Sequence, residues 1–214
     1  MALLSSSQDI LNAFHLYAGS ATELSSEEEL NLLQKIYTQV LGSHEWEFLK
    51  KEATGSLTTA DSYIDLTTAV TDFDRFTRNN TVYIGSTNQE YPIIPFQQRR
   101  YYQNAQGFFY FDSRQNRLYL TQNLPTDNTW NFDYMYYPPA LVIDAITPTN
   151  NVDPVIPKKF YDVLYHAMLV DNSIIEMSEK ARAYTQENAE RYNQLLQDMI
   201  MDDSRNNQYN NYGI

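Results

Sequence analysis

The alternation of Trp130, Phe132, Tyr134 and Tyr136 with Asn131, Asp133 and Met135 is the feature that most constrains the fold of this chain. Side chains two residues apart point to the same face of a strand, so the run predicts a strand over 129–137 with one aromatic face. Pro138-Pro139 follows and predicts the end of that strand. The middle of the chain is therefore expected to form a sheet.

Four further segments of the middle region have strand composition and are bounded by turn residues: 62–66, 81–84, 107–111 and 117–121. Turn signals at 112–116 and 124–128 separate the last three strand candidates, which predicts an antiparallel meander. A short helix is predicted over 95–102, between two of the strands.

The N-terminal region has helical periodicity. Ser25 with Glu28, or Ser26 with Glu29, has the spacing of a capping box, and Leu30, Leu33 and Tyr37 follow at helical spacing. A weaker amphipathic turn or helix is predicted over 7–17. A short helix is predicted over 45–51, with Trp46 and Leu49 facing inward.

The C-terminal region is also predicted to be helical. Pro157 suits a first helical position, and an apolar stripe runs from Phe160 to Met199. The stripe fits one long helix or two helices joined near 172–178. The segment 206–214 cannot bury enough apolar surface to fold alone, so it is predicted to be a flexible tail.

These patterns predict an α+β fold: a helical bundle, made of the N-terminal helix and the long C-terminal helices, with a central antiparallel β insertion. The expected divisions are 1–52 for the N-terminal part of the bundle, 53–157 for the β-rich insertion, 158–205 for the C-terminal helices and 206–214 for the tail.

Composition excludes several classes of function. The 214 residues include no cysteine, which removes thiol nucleophiles and thiolate metal sites, and the 6 glycines are too scattered for a phosphate-binding loop. The net charge of −12 is spread along the chain and argues against a protein that binds nucleic acid through a broad basic surface. No stretch has the roughly 18 consecutive apolar residues of a membrane span, and the N-terminus lacks the basic region of a signal peptide.

Tyrosine is unusually frequent, with 18 residues, and suits surfaces that bind a partner. Arg99, Arg100, Tyr101 and Tyr102 join charge to aromatic rings, a pattern of single-strand binding, although an inter-subunit or intramolecular contact is the favoured interpretation. The aromatic strand could instead stack on sugars, with carboxylates such as Asp112 and Asp133 nearby. No enzyme motif is present, and no enzyme, cofactor or metal site is predicted.

Three segments together resemble a known family. They are Trp-Asn-Phe-Asp-Tyr-Met-Tyr-Tyr-Pro-Pro at 130–139, Pro-Val-Ile-Pro-Lys-Lys-Phe-Tyr-Asp-Val-Leu at 154–164, and the helical segment 181–192. Their order, after an N-terminal helix with Trp46 at its end, resembles the head-to-tail adaptor (connector) proteins of tailed bacteriophages over about 24–203.

The resemblance implies a structural protein of the virion neck that assembles in the host cytoplasm as a homo-oligomer, a dodecameric ring beneath the portal protein. The ring would join the capsid to tail or nozzle proteins and let DNA pass without specific binding. An acidic channel wall would favour that passage. The alternatives are a carbohydrate-binding or carbohydrate-cleaving virion domain that uses the aromatic sheet, or another neck or stopper component.

The resemblance also assigns candidate contact residues by position. Portal docking is expected from the tail, which consists of Asn206, Asn207, Gln208, Tyr209, Asn210, Asn211, Tyr212, Gly213 and Ile214. Tail-side or inter-subunit contact is expected from Arg99, Arg100, Tyr101, Tyr102, Trp130 and Tyr134.

Overall fold

The computed structural model describes residues 4–18, 24–144 and 147–211, with the backbone alone given for 148, 172 and 206–211. The chain divides into two compact units. The first, called here the helical unit, consists of Met1–Phe48 and Pro139–Ile214. The second, the sheet unit, is Leu49–Pro138.

The described helices are α1 Ser7–Ala18, α2 Ser26–Gly42, α3 Leu66–Ala69, α4 Arg99–Tyr102, α5 Tyr161–Leu169, α6 Asn172–Met177, α7 Glu179–Ala183 and α8 Thr185–Asn211. Short 3-10 turns occur at Glu47–Leu49, Phe96–Gln98, Pro148–Asn150 and Lys158–Phe160. The helices predicted over 7–17 and 95–102 are confirmed, the second as a 3-10 turn followed by α4.

The start of α2 confirms the predicted capping box. The Ser25 hydroxyl accepts a hydrogen bond from the Glu28 backbone N–H at 3.3 Å, and the Glu28 carboxylate accepts one from the Ser25 backbone N–H at 2.7 Å. The helix predicted over 45–51 is wrong, because only a 3-10 turn forms before a strand begins at Lys50. Trp46 is nevertheless fully buried, and its indole N–H donates to the Val40 carbonyl at 3.1 Å.

Helix α5 is the centre of the helical unit. It packs against α1, α2 and α8, and seven of its nine residues are buried. A helix that is apolar on nearly all sides can be stable only when other helices surround it. The neighbouring helices supply Ile10 and Phe14 from α1 and Leu33 and Ile36 from α2.

The C-terminal region forms four helices, so neither predicted alternative, one long helix or two, is correct. Two side chains inside the apolar stripe cap new helices. The Asp171 carboxylate accepts from the Ser173 backbone N–H at the start of α6, and the Ser178 hydroxyl accepts from the Ala181 backbone N–H at the start of α7. Such caps satisfy backbone donors at a helix start, which favours separate short helices.

The strands are β1 Lys50–Leu57, β2 Tyr63–Asp65, β3 Phe73–Phe76, β4 Thr81–Ile84, β5 Gln89–Ile94, β6 Phe109–Asp112, β7 Arg117–Leu120 and β8 Asn128–Tyr136. The five predicted strands are confirmed as β2, β4, β6, β7 and β8. The prediction missed β1, β3 and β5.

The eight strands among the described residues belong to one sheet with the order β1-β8-β4-β5-β6-β7-β2, and β3 also pairs with β8. The predicted meander of the last three strands is wrong, since β8 lies between β1 and β4 rather than beside β7. The sheet is also not purely antiparallel, because β5 and β6 are parallel.

Strands from both ends of the sheet contribute to one core. Ala53 and Leu57 of β1 and Ile64 of β2 are buried in the same cluster as Phe109 and Leu118. The sheet is therefore curled into a near-barrel around its own core. The predicted fold class, a helical bundle with a central antiparallel β insertion, is wrong, because the fold is mixed α/β with 46% helix and 23% strand.

Candidate partner-binding surfaces

Helix α8 packs on the helical unit through one narrow stripe. Asn188, Leu195, Met199 and Asp203 are buried, at spacings of seven and four residues that keep them on one face. The Asn188 side-chain oxygen lies 3.1 Å from Nδ1 of His166, whose pKa is lowered by burial. This stripe attaches α8 to the rest of the unit.

Asp203 is the last buried side chain that the structure describes on α8. Its carboxylate accepts a hydrogen bond from the Glu47 backbone N–H at 2.9 Å and lies 3.3 Å from Nε2 of His44. Burial raises the pKa of Asp203. Beside it, Asp202 pairs with Lys159 at 2.8 Å, so two carboxylates anchor this turn of α8.

The residues predicted to dock on the portal begin just beyond this anchor. Helix α8 continues to Asn211, about 12 Å past Asp203 at the rise of an α-helix. Ser204 and Arg205 are exposed. The side chains of 206–211 and the whole of Tyr212, Gly213 and Ile214 lie outside the described residues. The flexibility and the docking role of 206–214 therefore stay predictions.

The predicted contact residues Arg99, Arg100, Tyr101 and Tyr102 form helix α4 of the sheet unit. Tyr101 is 86% exposed and Arg100 is also exposed. The Arg99 guanidinium lies 3.8 Å from the centre of the Phe96 ring, and its Nη1 donates to the Phe96 carbonyl. Helix α4 thus presents Arg100 and Tyr101 to solvent, while Arg99 is half-buried against Phe96.

Next to α4, three tyrosines missed by the sequence analysis form a row across three strands. Tyr63 of β2 lies opposite Tyr119 of β7, and Tyr119 lies opposite Tyr110 of β6. The ring centres of Tyr63 and Tyr119 are 5.4 Å apart, and so are those of Tyr119 and Tyr110. Leu118 and Leu120, on the other side of β7, are buried, so the tyrosines occupy the outer face. This alternation is the sequence signal that could have placed Tyr119 outside.

Arginine side chains border this row. Arg117 lies 4.3 Å over the Tyr63 ring and pairs with Asp65 at 3.2 Å. Arg114 binds Asp112 through two hydrogen bonds of 3.1 and 3.0 Å. Phe96 contacts the end of the row, with its ring centre 6.0 Å from that of Tyr110. The outer surface made of Tyr63, Tyr110, Tyr119, Phe96, Arg99, Arg114 and Arg117 is called here the tyrosine face.

The structure does not bring Trp130 and Tyr134 to this surface. Both side chains are 5% exposed and lie in the core of the sheet unit, where Trp130 stacks on Phe132 with ring centres 5.4 Å apart. The Tyr134 hydroxyl donates a hydrogen bond to the Asp72 carboxylate at 2.8 Å. Burial of the hydroxyl, and next its hydrogen bond to Asp72 and the negative charge of that carboxylate, raise the pKa of Tyr134 to about 12. Both rings pack inside the unit, so they are not available to stack on a sugar, and their predicted contact role stays untested.

A groove of about 680 Å³ lies on the helical unit between α1 and α5. Leu16, in its wall, is 85% exposed, and the wall also contains the carboxylates of Asp9 and Asp162 and the ammonium group of Lys180, which lies 4.3 Å over the Tyr17 ring. An exposed leucine in a groove with two carboxylates and one ammonium group can bind a partner that has both apolar and basic groups.

The negative charge is divided unequally between the two units. The helical unit has 18 acidic and 7 basic residues, a net charge of −11, whereas the sheet unit has 9 and 8, a net charge of −1. The tyrosine face and α4 together have four arginines against Asp65 and Asp112, a local excess of two positive charges. Most of the negative charge therefore belongs to the helical unit, whereas the tyrosine face and α4 have a local positive excess.

Among the described residues, no group of three or more His, Asp or Glu side chains is placed to hold a metal ion. Within the same part of the chain, none of the helices combines the length and the apolar character that a membrane span requires.

Comparison with known proteins identifies the family. The family model for the SU10 adaptor protein matches residues 7–213, nearly the whole chain. No curated protein sequence matches the chain. The resemblance to head-to-tail adaptors stated from the sequence is thereby confirmed, and with it a structural component of a phage particle that binds other phage structural proteins. The chain therefore belongs to the SU10 adaptor protein family, a family of phage head-to-tail adaptors.

Proposed function

We propose that the chain assembles as a ring beneath the portal protein, joins the capsid to the tail or nozzle proteins, and surrounds the channel through which DNA passes. The observation that carries this proposal is the family match over residues 7–213, which includes both the helical unit and the sheet unit. The ring is dodecameric, occupies the neck of the virion and assembles in the host cytoplasm. Its function is structural.

The portal contact is assigned to the end of α8. A docking segment has to extend away from the body of its own subunit, and α8 continues for eight residues past Asp203, its last described buried side chain. The anchor at Asp203 holds the start of the segment in place through Glu47 and His44. The residues that bind the portal are 206–214.

The charge distribution supports passage of DNA without specific binding. A surface with a net charge of −11 repels a polyanion and provides few cations to replace its counterions. The acidic helical unit supplies the channel wall in this proposal. A ring whose channel wall was predominantly basic would contradict it.

Deletion of 206–214 tests the portal contact and ring formation together. The truncated chain keeps the stripe from Asn188 to Asp203, so its fold and its ring, measured by circular dichroism and native mass spectrometry, should be unchanged. Attachment of tails to filled heads, counted by electron microscopy, should fall steeply.

A second variant with 206–211 replaced by six alanines keeps a helix-forming sequence and serves as the matched control. If it also fails to attach tails, the side chains are required; if it succeeds, helix length is sufficient. Unchanged attachment after the deletion would refute the assignment of the portal contact. A full-length chain that stays monomeric with portal present would refute the ring.

A further inference from the structure

We infer that the tyrosine face of one subunit binds the acidic helical unit of a second copy of this chain, at the groove between α1 and α5. The inference rests on the proposed ring and names the surfaces that would hold neighbouring subunits together. Tyrosine and arginine are, with tryptophan, the residue types enriched among the energetically dominant residues of protein interfaces. Here they are gathered on one outer surface of the sheet unit.

The arrangement of the rings favours a protein partner over a nucleic acid or a sugar. Bases and sugars bind aromatic side chains through the flat ring face. Tyr110 and Tyr119 stack on each other at an angle of 11°, so each covers one face of the other. Arg117 covers a face of Tyr63, and Arg99 covers a face of Phe96. The row therefore presents mainly ring edges and hydroxyl groups.

The arginines also suit a carboxylate-bearing protein better than a phosphate backbone. Arg117 and Arg114 are already paired with Asp65 and Asp112, and a nucleic acid would have to approach both of these carboxylates. A protein surface can place cations near the aspartates and carboxylates near the arginines. The excess of two positive charges on the tyrosine face and α4 selects an acidic partner surface.

A second copy of this chain carries such a surface. Its helical unit has a net charge of −11, and the groove between α1 and α5 combines the exposed Leu16 with Asp9, Asp162 and Lys180, an excess of one negative charge. Ring edges can pack on the leucine, while the arginines approach the two carboxylates. The two surfaces differ, so the contact is heterologous, the type that closes rings.

Photo-crosslinking in the assembled ring tests this contact. Tyr63, which is 36% exposed, and Tyr101, which is 86% exposed, are each replaced by p-benzoylphenylalanine in the full chain. The same replacement of Tyr137, which is 60% exposed and lies just after β8, is the matched control. Mixing subunits labelled with ¹⁴N and ¹⁵N distinguishes crosslinks between copies from those within one copy.

Positions 63 and 101 should crosslink to peptides of α1 or α5 from another copy, and position 137 should not. Crosslinks to portal, to a tail protein or to DNA would overturn the inference, as would intact rings without crosslinks at 63 and 101. In that last case the ring itself survives. A chain that forms no ring at all would instead refute the proposed function.

Charge reversal gives a measurement independent of the crosslinker. Arg114→Glu, at a side chain that is 75% exposed, should raise the subunit concentration needed for assembly by about tenfold at low salt, because an attraction becomes a repulsion. High salt should reduce this difference. Arg75→Glu, on β3 outside the tyrosine face, should change assembly much less. Equal effects of the two variants would overturn the inference.

Discussion

Gly55→Ala should destabilise the sheet unit, although alanine usually suits a strand better than glycine. Gly55 of β1 lies opposite Trp130 of β8, and an added Cβ would lie 2.4 Å from Cζ2 and 2.7 Å from Cε2 of the indole. Trp130 is 5% exposed and stacked on Phe132, so it cannot move aside without disturbing the core. Overpacking costs about 1–3 kcal/mol, and the backbone gain from alanine is roughly 0.5–1 kcal/mol. We expect a net loss of about 1–2 kcal/mol.

Urea denaturation followed by circular dichroism measures this loss. Gly42→Ala is the matched control, because Gly42 ends α2 and nothing lies within 4 Å of its added Cβ. That variant should be unchanged or up to about 1 kcal/mol more stable. In a Trp130→Phe background, which removes the clashing indole atoms, the cost of Gly55→Ala should shrink. An equal cost in both backgrounds, or a cost no greater than that of Gly42→Ala, would refute the reasoning.

Two further predictions concern buried polar groups. Because burial raises the pKa of Asp203 above 3.8, the free energy of unfolding falls as the pH rises from 3.8 to the raised pKa, where the unfolded chain ionises more readily than the folded one. Asp203→Asn keeps an oxygen acceptor for Glu47, so its stability relative to the parent should increase as the pH rises from 3.8 towards the raised pKa of Asp203; a constant difference in urea titrations would contradict this. Tyr134→Phe removes the hydroxyl that donates to Asp72 and should cost about 1–2 kcal/mol in thermal or urea unfolding. Tyr137→Phe, at a 60% exposed ring, should cost less than about 0.5 kcal/mol, and equal costs would contradict the role of the Asp72 contact.

Local signals predicted the helices where capping and periodicity agreed. Ser25 and Glu28 are three residues apart, so the capping box that starts α2 could be found from the sequence. At Asp171 and Ser178 the two signals disagreed: the apolar stripe runs through both positions, while both side chains cap new helices. Periodicity alone therefore predicted a longer helix than the caps allow.

The sheet could be predicted only in part, because strand pairing depends on residues distant in sequence. The pleat and the aromatic alternation identified β8, but not its neighbours β1 and β4. Strand β1 was missed because its buried residues, Ala53 and Leu57, are four apart, a spacing that also fits a helix. The curled sheet, and hence the fold class, follows from these non-local pairings.

In the candidate surfaces, too, local features could be predicted from the sequence and features that depend on strand pairing could not. Arg100 and Tyr101 could be selected because they are adjacent in the chain, and the structure places both, exposed, in helix α4. The row of Tyr63, Tyr110 and Tyr119 requires the register of three strands, which no local pattern contains. Trp130 shows the converse case, because the alternation that identified β8 does not say which face of the strand is buried, and the structure places Trp130 in the core.

The unequal charge of the two units gives a physical reason why copies would assemble head to tail. A contact between two helical units brings together surfaces with a net charge of −11 each, and this repulsion opposes a symmetric dimer. In a contact between a helical unit and a sheet unit, the sheet unit is nearly neutral and its tyrosine face has a local positive excess. Repulsion between two helical units and attraction between a helical unit and a tyrosine face both favour the head-to-tail contact over the symmetric one. Tyrosine suits the contact between the sheet unit and the helical unit, because it contributes apolar area without adding a charge that must be desolvated.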